Sequence, residues 1–493
     1  MPACSSGASD PLPGVPTTRR ERAADSGRRL FARVKDYTFM TAILKHGLSP
    51  PTAGLFGHLP AFVRDPLGFL TDCARSHRGI VRLRMLHKPV FLLLEPADIE
   101  RVLVTEYRDF IKPAWLRTPA VRRLLGDGLV TAEGEAWRRQ RHACQPAFQL
   151  RRMERYGEVI SSLAELALTR WEPGQAIDVQ QEMARLTLEI LGRLLFAVHE
   201  TDWTDEAGRA MDSLMARFTA GRSLFGMIPW PPGPGEVRAT RRLNGVVERL
   251  IRRHAETRPS RASDPDSLDL LSMFQNPDAD GGEGLSGRPL REQVKTFLTA
   301  GHESSALALS WAFLLLARHP TAGAALASEL ETVLSGRPPV PSDLPHLPYT
   351  QAVVQETLRL YPPLWMTGRQ ATRSCKIGGV SVPAGALVMT SQWAMQRLPQ
   401  FFPCPDDFRP ERWLGTETKD LPRCAYFPFG AGPRICIGQS FALMEATLLL
   451  AAIARRFRFE SVPGPELKPW ATMTLRPPTG IRVRLLAKEK AAG

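Results

Sequence analysis

Ten residues toward the C-terminal end bring together types that neither a helix nor a strand favours: Phe429-Gly-Ala-Gly-Pro-Arg-Ile-Cys-Ile-Gly438. Three glycines and a proline surround one cysteine, and an arginine stands two residues before it. Glycine lets a backbone approach a flat ligand without a Cβ clash. An open turn lets amide N–H groups point at one sulfur and hold it as thiolate, the form that ligates a metal. Arg434 offers a charge that can meet a carboxylate on the same ligand. The competing reading is a glycine-rich surface turn with an incidental cysteine.

The spacing decides between the two. Phe429, Gly432, Arg434, Cys436 and Gly438 fit the pattern Phe-x-x-Gly-x-Arg-x-Cys-x-Gly at every fixed position, and the segment resembles the haem loop of the cytochrome P-450 family. The resemblance implies heme b, with Cys436 as axial thiolate and metal ligand. Phe429 and Arg434 would be cofactor-binding.

A second cluster lies on a helix read over 291–318. Its apolar stripe includes Val294, Phe297, Leu298, Ala308, Ala312 and Leu315, and Gly301, Ser304 and Ser305 interrupt that stripe. One reading is close helix–helix packing. The other is a groove over a ligand, where Gly301 permits approach and Ser304 supplies a hydroxyl. His302-Glu303 suggests a zinc HExxH site, but Ala306 takes the second histidine's place. Ala300-Gly-His-Glu-Ser-Ser305 resembles the same family's oxygen-activating motif. By position Glu303 is then the acid and Ser304 the alcohol of the catalytic pair. Serine replaces the commoner threonine, keeping the hydroxyl and losing some rotamer restriction.

Three further segments fit the same resemblance. Glu356 and Arg359 are neighbours on one helix face, and Phe408-Arg-Pro-Glu-Arg-Trp413 follows downstream. The family pattern implies a buried Glu356–Arg359–Arg412 network bracing the cysteine loop. Trp137 and Arg141, in Trp-Arg-Arg-Gln-Arg, resemble a pair that holds a haem propionate, and Arg369 resembles a further propionate ligand. By the same analogy Phe218, Phe297, Ala300, Leu364, Trp365, Met366, Met473 and Thr474 line the substrate pocket, with the 107–130 loop and 224–230. These positions are apolar almost throughout, which points to a lipophilic substrate. Leu364-Trp-Met366 resembles relatives that oxidise terpenoids, so a terpenoid is preferred and a fatty acid ranks second.

The elements that must position these residues are mostly helical. Apolar periodicity dominates from about 97 to 361. Strands are expected at Val81–Met85, at Val90–Leu94 after a turn at His87–Pro89, and around 378–385. Ile228–Gly235 is read as a stiff proline-rich loop and Asn276–Gly284 as a solvated connector. A helix is expected over 439–456. The fold class is mainly α with a small β portion, and the resemblance implies the cytochrome P-450 fold, a long central helix over haem with short β-sheets. Residues 1–30 are read as a disordered basic tail and 31–493 as a single haem-thiolate domain. The basic segment 28–47 either touches a membrane surface or packs on its own domain.

Composition narrows the partners. The 493 residues carry a net charge of +14, with arginines dispersed among 50 acidic residues, which disfavours nucleic acid. Seven scattered cysteines without CxxC suit a reducing compartment, the cytoplasm. No run of eighteen apolar residues suggests a transmembrane anchor, and a monomer is expected. No flavin- or nicotinamide-binding segment is read, so NAD(P)H would act only indirectly, through a reductase and a ferredoxin or flavodoxin. Arg138, Arg139, Arg423 and Arg434 lie in segments resembling the face where an acidic carrier docks. The expected activity is oxygen insertion from dioxygen. The alternatives are a peroxide-driven peroxygenase, which Glu303 and Ser304 disfavour, and a haem sensor or carrier.

Overall fold

The computed structural model describes residues 49–51, 54–198, 200–218, 231–257, 269–275, 284–464 and 466–487. The N-terminal tail, the basic segment 28–47, the 224–230 stretch and most of the 276–284 connector lie outside the described residues.

The helices that position the site are α1 (Gly134–Cys144), α2 (Leu150–Leu168), α3 (Val179–Phe196), α4 (Thr204–Met215), α5 (Pro234–Thr257), α6 (Gly287–Arg318), α7 (Pro348–Leu360) and α8 (Gln439–Arg456). Helix α6 is 32 residues long and buried on every side over most of its length, from Leu290 to Leu316. It runs through the inside of the molecule, packed along α3 and also against α5, α7 and α8. Gly301 belongs to that packing. A Cβ there would meet the Leu191 side chain of α3 at 3.1 Å, and Thr187 of α3 donates to the His302 carbonyl at 3.1 Å. The expected role of Gly301 as an opening toward a ligand is therefore corrected: its missing side chain lets α3 approach.

Strands β1 (Ile80–Met85) and β2 (Lys88–Leu93) form a hairpin. Its turn is Leu86-His87, with Leu86 at φ 57°, so the expected turn at His87–Pro89 moves back by one residue and Pro89 lies inside β2 opposite Arg84. With β3 (Phe110–Ile111), β5 (Thr367–Ala371) and β8 (Leu387–Thr390) the hairpin builds a five-stranded sheet of order β1-β2-β8-β5-β3, in which β2 and β8 run parallel. Strands β4 (Ala176–Asp178), β9 (Phe457–Ser461) and β12 (Arg482–Ala487) make a second sheet. Two small pairs complete the β portion, β6 (Cys375–Ile377) with β7 (Val380–Val382), and β10 (Trp470–Ala471) with β11 (Leu475–Arg476). Two apolar clusters follow this division, one among the helices and one under the five-stranded sheet. Pro234 and Gly235, read as loop, open α5 instead. Proline suits a first helical turn, where its missing N–H has no partner to lose.

Candidate active site

A cavity of about 290 Å³ lies between the cysteine loop and α6. Cys436, Phe429 and Pro428 form its floor; Ala300, Glu303, Ser304 and Ser305 form the opposite wall. Helix α8 begins just after Gly438, so its positive N-terminal end faces the sulfur. Burial within the protein pushes the Cys436 thiol up, and the Gly438 amide and the Arg141 charge pull it back down. The sulfur's open side faces the cavity rather than bulk water. The loop is held from behind, where Arg141 donates to the Ile435 carbonyl at 2.8 Å and the Cys436 amide to the Phe429 carbonyl at 3.0 Å.

The α6 wall carries one charged lining residue, Glu303, and it is already engaged. Thr474 Oγ1 and Arg476 Nε both donate to Glu303 Oε1 at 2.6 Å, and Arg476 Nη1 reaches Asp212 on α4 at 3.2 Å. Thr474 thus lines the cavity and also holds its acid. Ser304 donates to the Ala300 carbonyl at 2.8 Å, which leaves its oxygen lone pairs toward the cavity.

Beside the floor, Lys112, Arg369 and Arg434 gather round one carboxylate, Glu133, with Arg141 acting on Lys112 from further off. Glu133 takes the Arg434 Nη2 at 2.5 Å and the Lys112 amide at 2.7 Å, and these bonds hold its carboxyl below the usual range against the desolvation that opposes them. Burial lowers the Lys112 ammonium to about 7, and the neighbouring arginines add to this. Burial likewise lowers Arg369 to about 10. The Nε of Arg369 and the Nε of Arg434 are buried without hydrogen-bond partners. Trp137 underlies the group, with Arg434 and Lys112 at 5.4 and 5.9 Å from its ring centre. Buried cations in excess of anions call for an anionic ligand.

Glu356, Arg359 and Arg412 form the network that the family resemblance implies. Arg359 grips Glu356 with two bonds of 2.8 and 2.9 Å, Arg412 adds one at 3.0 Å, and all three side chains are fully buried. The Trp413 indole supplies a further bond at 2.9 Å. Arg359 also donates to the carbonyls of Gln396, Pro405 and Asp407, fixing the aperiodic stretch between α7 and the cysteine loop.

A family model, Cytochrome P450, matches residues 48–485. The chain is 36% identical over 440 residues to cyclooctatin synthase of Streptomyces melanosporofaciens, covering 87% of this chain and 94% of that protein. It is 36% identical over 426 residues to cyclooctat-9-en-7-ol 5-monooxygenase of the same organism, covering 85% and 91%. Pentalenene oxygenase of Streptomyces avermitilis is 32% identical over 447 residues, covering 90% and 97%. The chain belongs to the cytochrome P450 family.

Cytochrome P450 enzymes are haem-thiolate oxidoreductases, and the site fits that group. Its sulfur and glycine loop suit a porphyrin, and the orphaned Arg369 and Arg434 donors suit its two carboxylates. Phe218, Ala300, Leu364, Trp365, Met366, Met473 and Thr474 all line the cavity, as do Trp115, Leu116, Leu124, Leu125 and Val130 from the 107–130 loop. Phe297 does not. It stacks on Phe148 at 5.7 Å and against Phe274 at 5.0 Å, about two turns before Ser304 on the same face of α6. The stripe gives its face correctly but not where along the helix the cavity ends, which is at Thr299. Trp365 reaches the cavity with an indole that is otherwise buried, its Nε1 bonded to the Thr472 carbonyl at 2.8 Å, so Leu364 and Met366 supply the protruding wall. Arg434 is not on a docking face: its side chain is only 7% exposed and paired with Glu133. Arg138 and Arg423 are exposed, at 61% and 62%. Lys112, Glu133 and Arg476 escaped the sequence reading because each acts through a partner far away in the chain. A lone lysine after Phe110-Ile111, and an acid at the start of α1, were the available signals.

Proposed function

We propose that this cytochrome P450 inserts one oxygen atom from dioxygen into a C–H bond or alkene of a terpenoid hydrocarbon, using electrons from a separate carrier. The observation that carries the substrate class is the cavity lining: among the described residues its one charged side chain is Glu303, already held by Arg476. A fatty acid would bring a carboxylate and find no cation there. A polycyclic hydrocarbon asks only for apolar contact and shape. The names of the relatives, for cyclooctatin and pentalenene, agree with this reading.

Haem would be held through the Cys436 thiolate and would supply the dioxygen chemistry, because a thiolate pushes electron density onto the metal. The chain's residues do the rest. Arg369, Arg434, Lys112 and Trp137 would hold its carboxylates. Arg141 and the Glu356–Arg359–Arg412 network hold the loop so that the sulfur stays aimed. Leu364, Met366 and Met473 exclude water around the substrate. Ser304 Oγ orders a water on the α6 wall, and Glu303 is the acid beside it.

Electrons come, in this proposal, from a ferredoxin or flavodoxin and its reductase, with NAD(P)H oxidised only by the latter. The exposed arginines Arg138, Arg139 and Arg423 around the floor side suit an acidic carrier. Among the described residues no helix is long and apolar enough to cross a membrane. We place the enzyme in the cytoplasm as a monomer, with residues 31–493 as one domain.

Spectral titration tests the substrate class. Pentalenene and related cyclic terpenes should shift the Soret band of the ferric protein at micromolar concentrations, and saturated fatty acids should not. Tight fatty-acid binding with no response to any terpene would reverse the assignment. Product formation should require an added carrier and reductase and should slow as salt rises.

A further inference from the structure

Leu124, Leu125 and Val130 line the cavity, and all three come from the end of a short helix, Pro119–Leu125, and the loop that follows it. A loop is ordinarily the yielding part of a wall. This one is bonded along its backbone. Thr299 Oγ1 of α6 donates to the Leu124 carbonyl at 3.1 Å, and Thr296 Oγ1 to the Leu125 carbonyl at 2.5 Å. These are the last carbonyls of the short helix, which have no partner inside it. The Thr296 hydroxyl also lies 3.0 Å from the Glu292 carbonyl, so the shorter contact takes its hydrogen. Further on, the Asp127 and Leu129 amides donate to Glu292 Oε2 and Gln293 Oε1, both at 3.0 Å. The Gly126 carbonyl accepts from the Thr131 hydroxyl at 2.7 Å, and the Asp127 carbonyl from the Gln140 amide on α1 at 3.1 Å.

The four α6 residues stand at 292, 293, 296 and 299, the spacing of one helix face. Two glycines let the loop lie flat against that face. A Cβ at Gly128 would stand 2.0 Å from Thr296 Oγ1, and one at Gly126 would stand 2.6 Å from the Glu292 carbonyl. Gln293 is fully buried and leaves its amide nitrogen without a partner. A leucine there would avoid that cost, so the bond from its oxygen to the loop is what the glutamine contributes. Thr299 lines the cavity, whereas Thr296 is buried behind the loop and does not.

A terpenoid hydrocarbon offers no polar group to grip, so shape alone must choose which of its carbons is presented for reaction. Shape chooses only if the wall holds still, since a shift of about 1 Å changes which atoms meet. We propose that Thr296, helped by Thr299 and Gln293, is a positioning residue that sets the regiochemistry of this enzyme. Its bond to the Leu125 carbonyl locks Leu124, Leu125 and Val130 into a rigid wall, and it acts without touching the substrate. The proposal rests on the monooxygenase reading above for what the wall selects, but the rigidity of the wall can be read with no substrate turned over.

The experiment compares haem-loaded Thr296→Val, which keeps the shape and loses the donor, with Thr296→Ser, which keeps the donor. Peptide-resolved hydrogen exchange comes first. The amides of 124–131 should exchange about tenfold faster in Thr296→Val and at the wild-type rate in Thr296→Ser. The second measurement is binding of 4-phenylimidazole and analogues with longer para-alkyl groups, read from the Soret shift of a nitrogen ligand. Wild type should show a sharp size limit, and Thr296→Val should bind the first analogue beyond it about tenfold more tightly than wild type does. Gly128→Ala pushes the same loop off α6 from the other side and should reproduce both effects, which keeps the test open if Thr296→Val folds poorly. With pentalenene as substrate probe, Thr296→Val should release oxidised products that wild type does not. Wild-type exchange together with a wild-type size limit in Thr296→Val, or a serine variant that behaves like the valine one, overturns the proposal. Pentalenene left untouched by every variant would count against the terpenoid reading alone, because exchange and imidazole binding do not depend on it.

Discussion

Arg476 Nε lies 2.6 Å from Glu303 Oε1, and the same guanidinium reaches the largely exposed carboxylate of Asp212. The acid of the cavity wall is thus the inner end of a charge relay that runs to the surface. Arg476→Met should strand a buried carboxylate and lower holoprotein stability by about 3–5 kcal/mol. Adding Glu303→Gln to that variant should recover part of the loss, because the charge that suffers is then gone. A double-mutant cycle in thermal or urea unfolding measures it; simple additivity would show that the pair is not coupled.

Ser304 tests the neighbouring role. Ser304→Ala should leave terpene binding nearly intact, since Ala300, Met366 and Met473 keep the shape of the wall. It should lower product formed per NADPH and raise peroxide. Ser304→Thr should hold or improve coupling, because the added methyl restricts the hydroxyl. Unchanged coupling in the alanine variant would withdraw the role from Ser304.

Cys436 is open to the cavity, whereas Cys424 is buried under the sheet and Cys404 lies in the bracing loop. Cys436→Ala should abolish the red-shifted Soret band of the reduced, carbon-monoxide-bound protein. Cys424→Ala and Cys404→Ala should keep it. A normal band in Cys436→Ala would falsify the axial assignment.

The bracing network predicts a large effect far from the cavity. Glu356→Ala leaves two fully buried guanidinium groups without their carboxylate, at a cost of about 3–5 kcal/mol. Haem content per folded chain should fall with stability, because Arg359 also holds the carbonyls of Pro405 and Asp407. The check is the ratio of Soret to protein absorbance after purification, with the unfolding midpoint alongside.

Motifs of fixed spacing carried most of this site into the sequence. The cysteine loop, the acid–alcohol pair on α6 and Glu356 with Arg359 are each local, so their geometry follows from a turn or a helical repeat. Arg412 needed the order of segments as well. What periodicity could not resolve was what a residue meets on a helix buried all round. On α6 nearly every position from Gln293 on is at least half-buried, polar ones included, so Phe297 and Gly301 read as cavity residues, although they pack on Phe274 and Leu191. The docking role of Arg434 failed for a related reason: a basic residue in a loop reads as surface until its partner, Glu133, 301 positions away, is seen.

Lys112 turns the cation cluster into a pH prediction. In the haem-free protein burial lowers its pKa to about 7 from an unfolded value of 10.5. Between those values the unfolded chain binds the proton and the folded chain does not, so unfolding gains as pH falls from 10.5 toward 7. The penalty is fully developed below the folded value and absent above the unfolded one. Lys112→Met should therefore stabilise the haem-free protein most at about pH 6 and scarcely at all near pH 11. With haem bound the sign reverses, because a carboxylate beside the ammonium favours its charged form. Haem uptake at about pH 8 should then draw a proton from solution in wild type, and less in Lys112→Met. Urea unfolding of both proteins across that range, with proton uptake followed by a pH indicator during reconstitution, checks both halves. Equal pH slopes for the two proteins would remove Lys112 from the cluster that holds the cofactor.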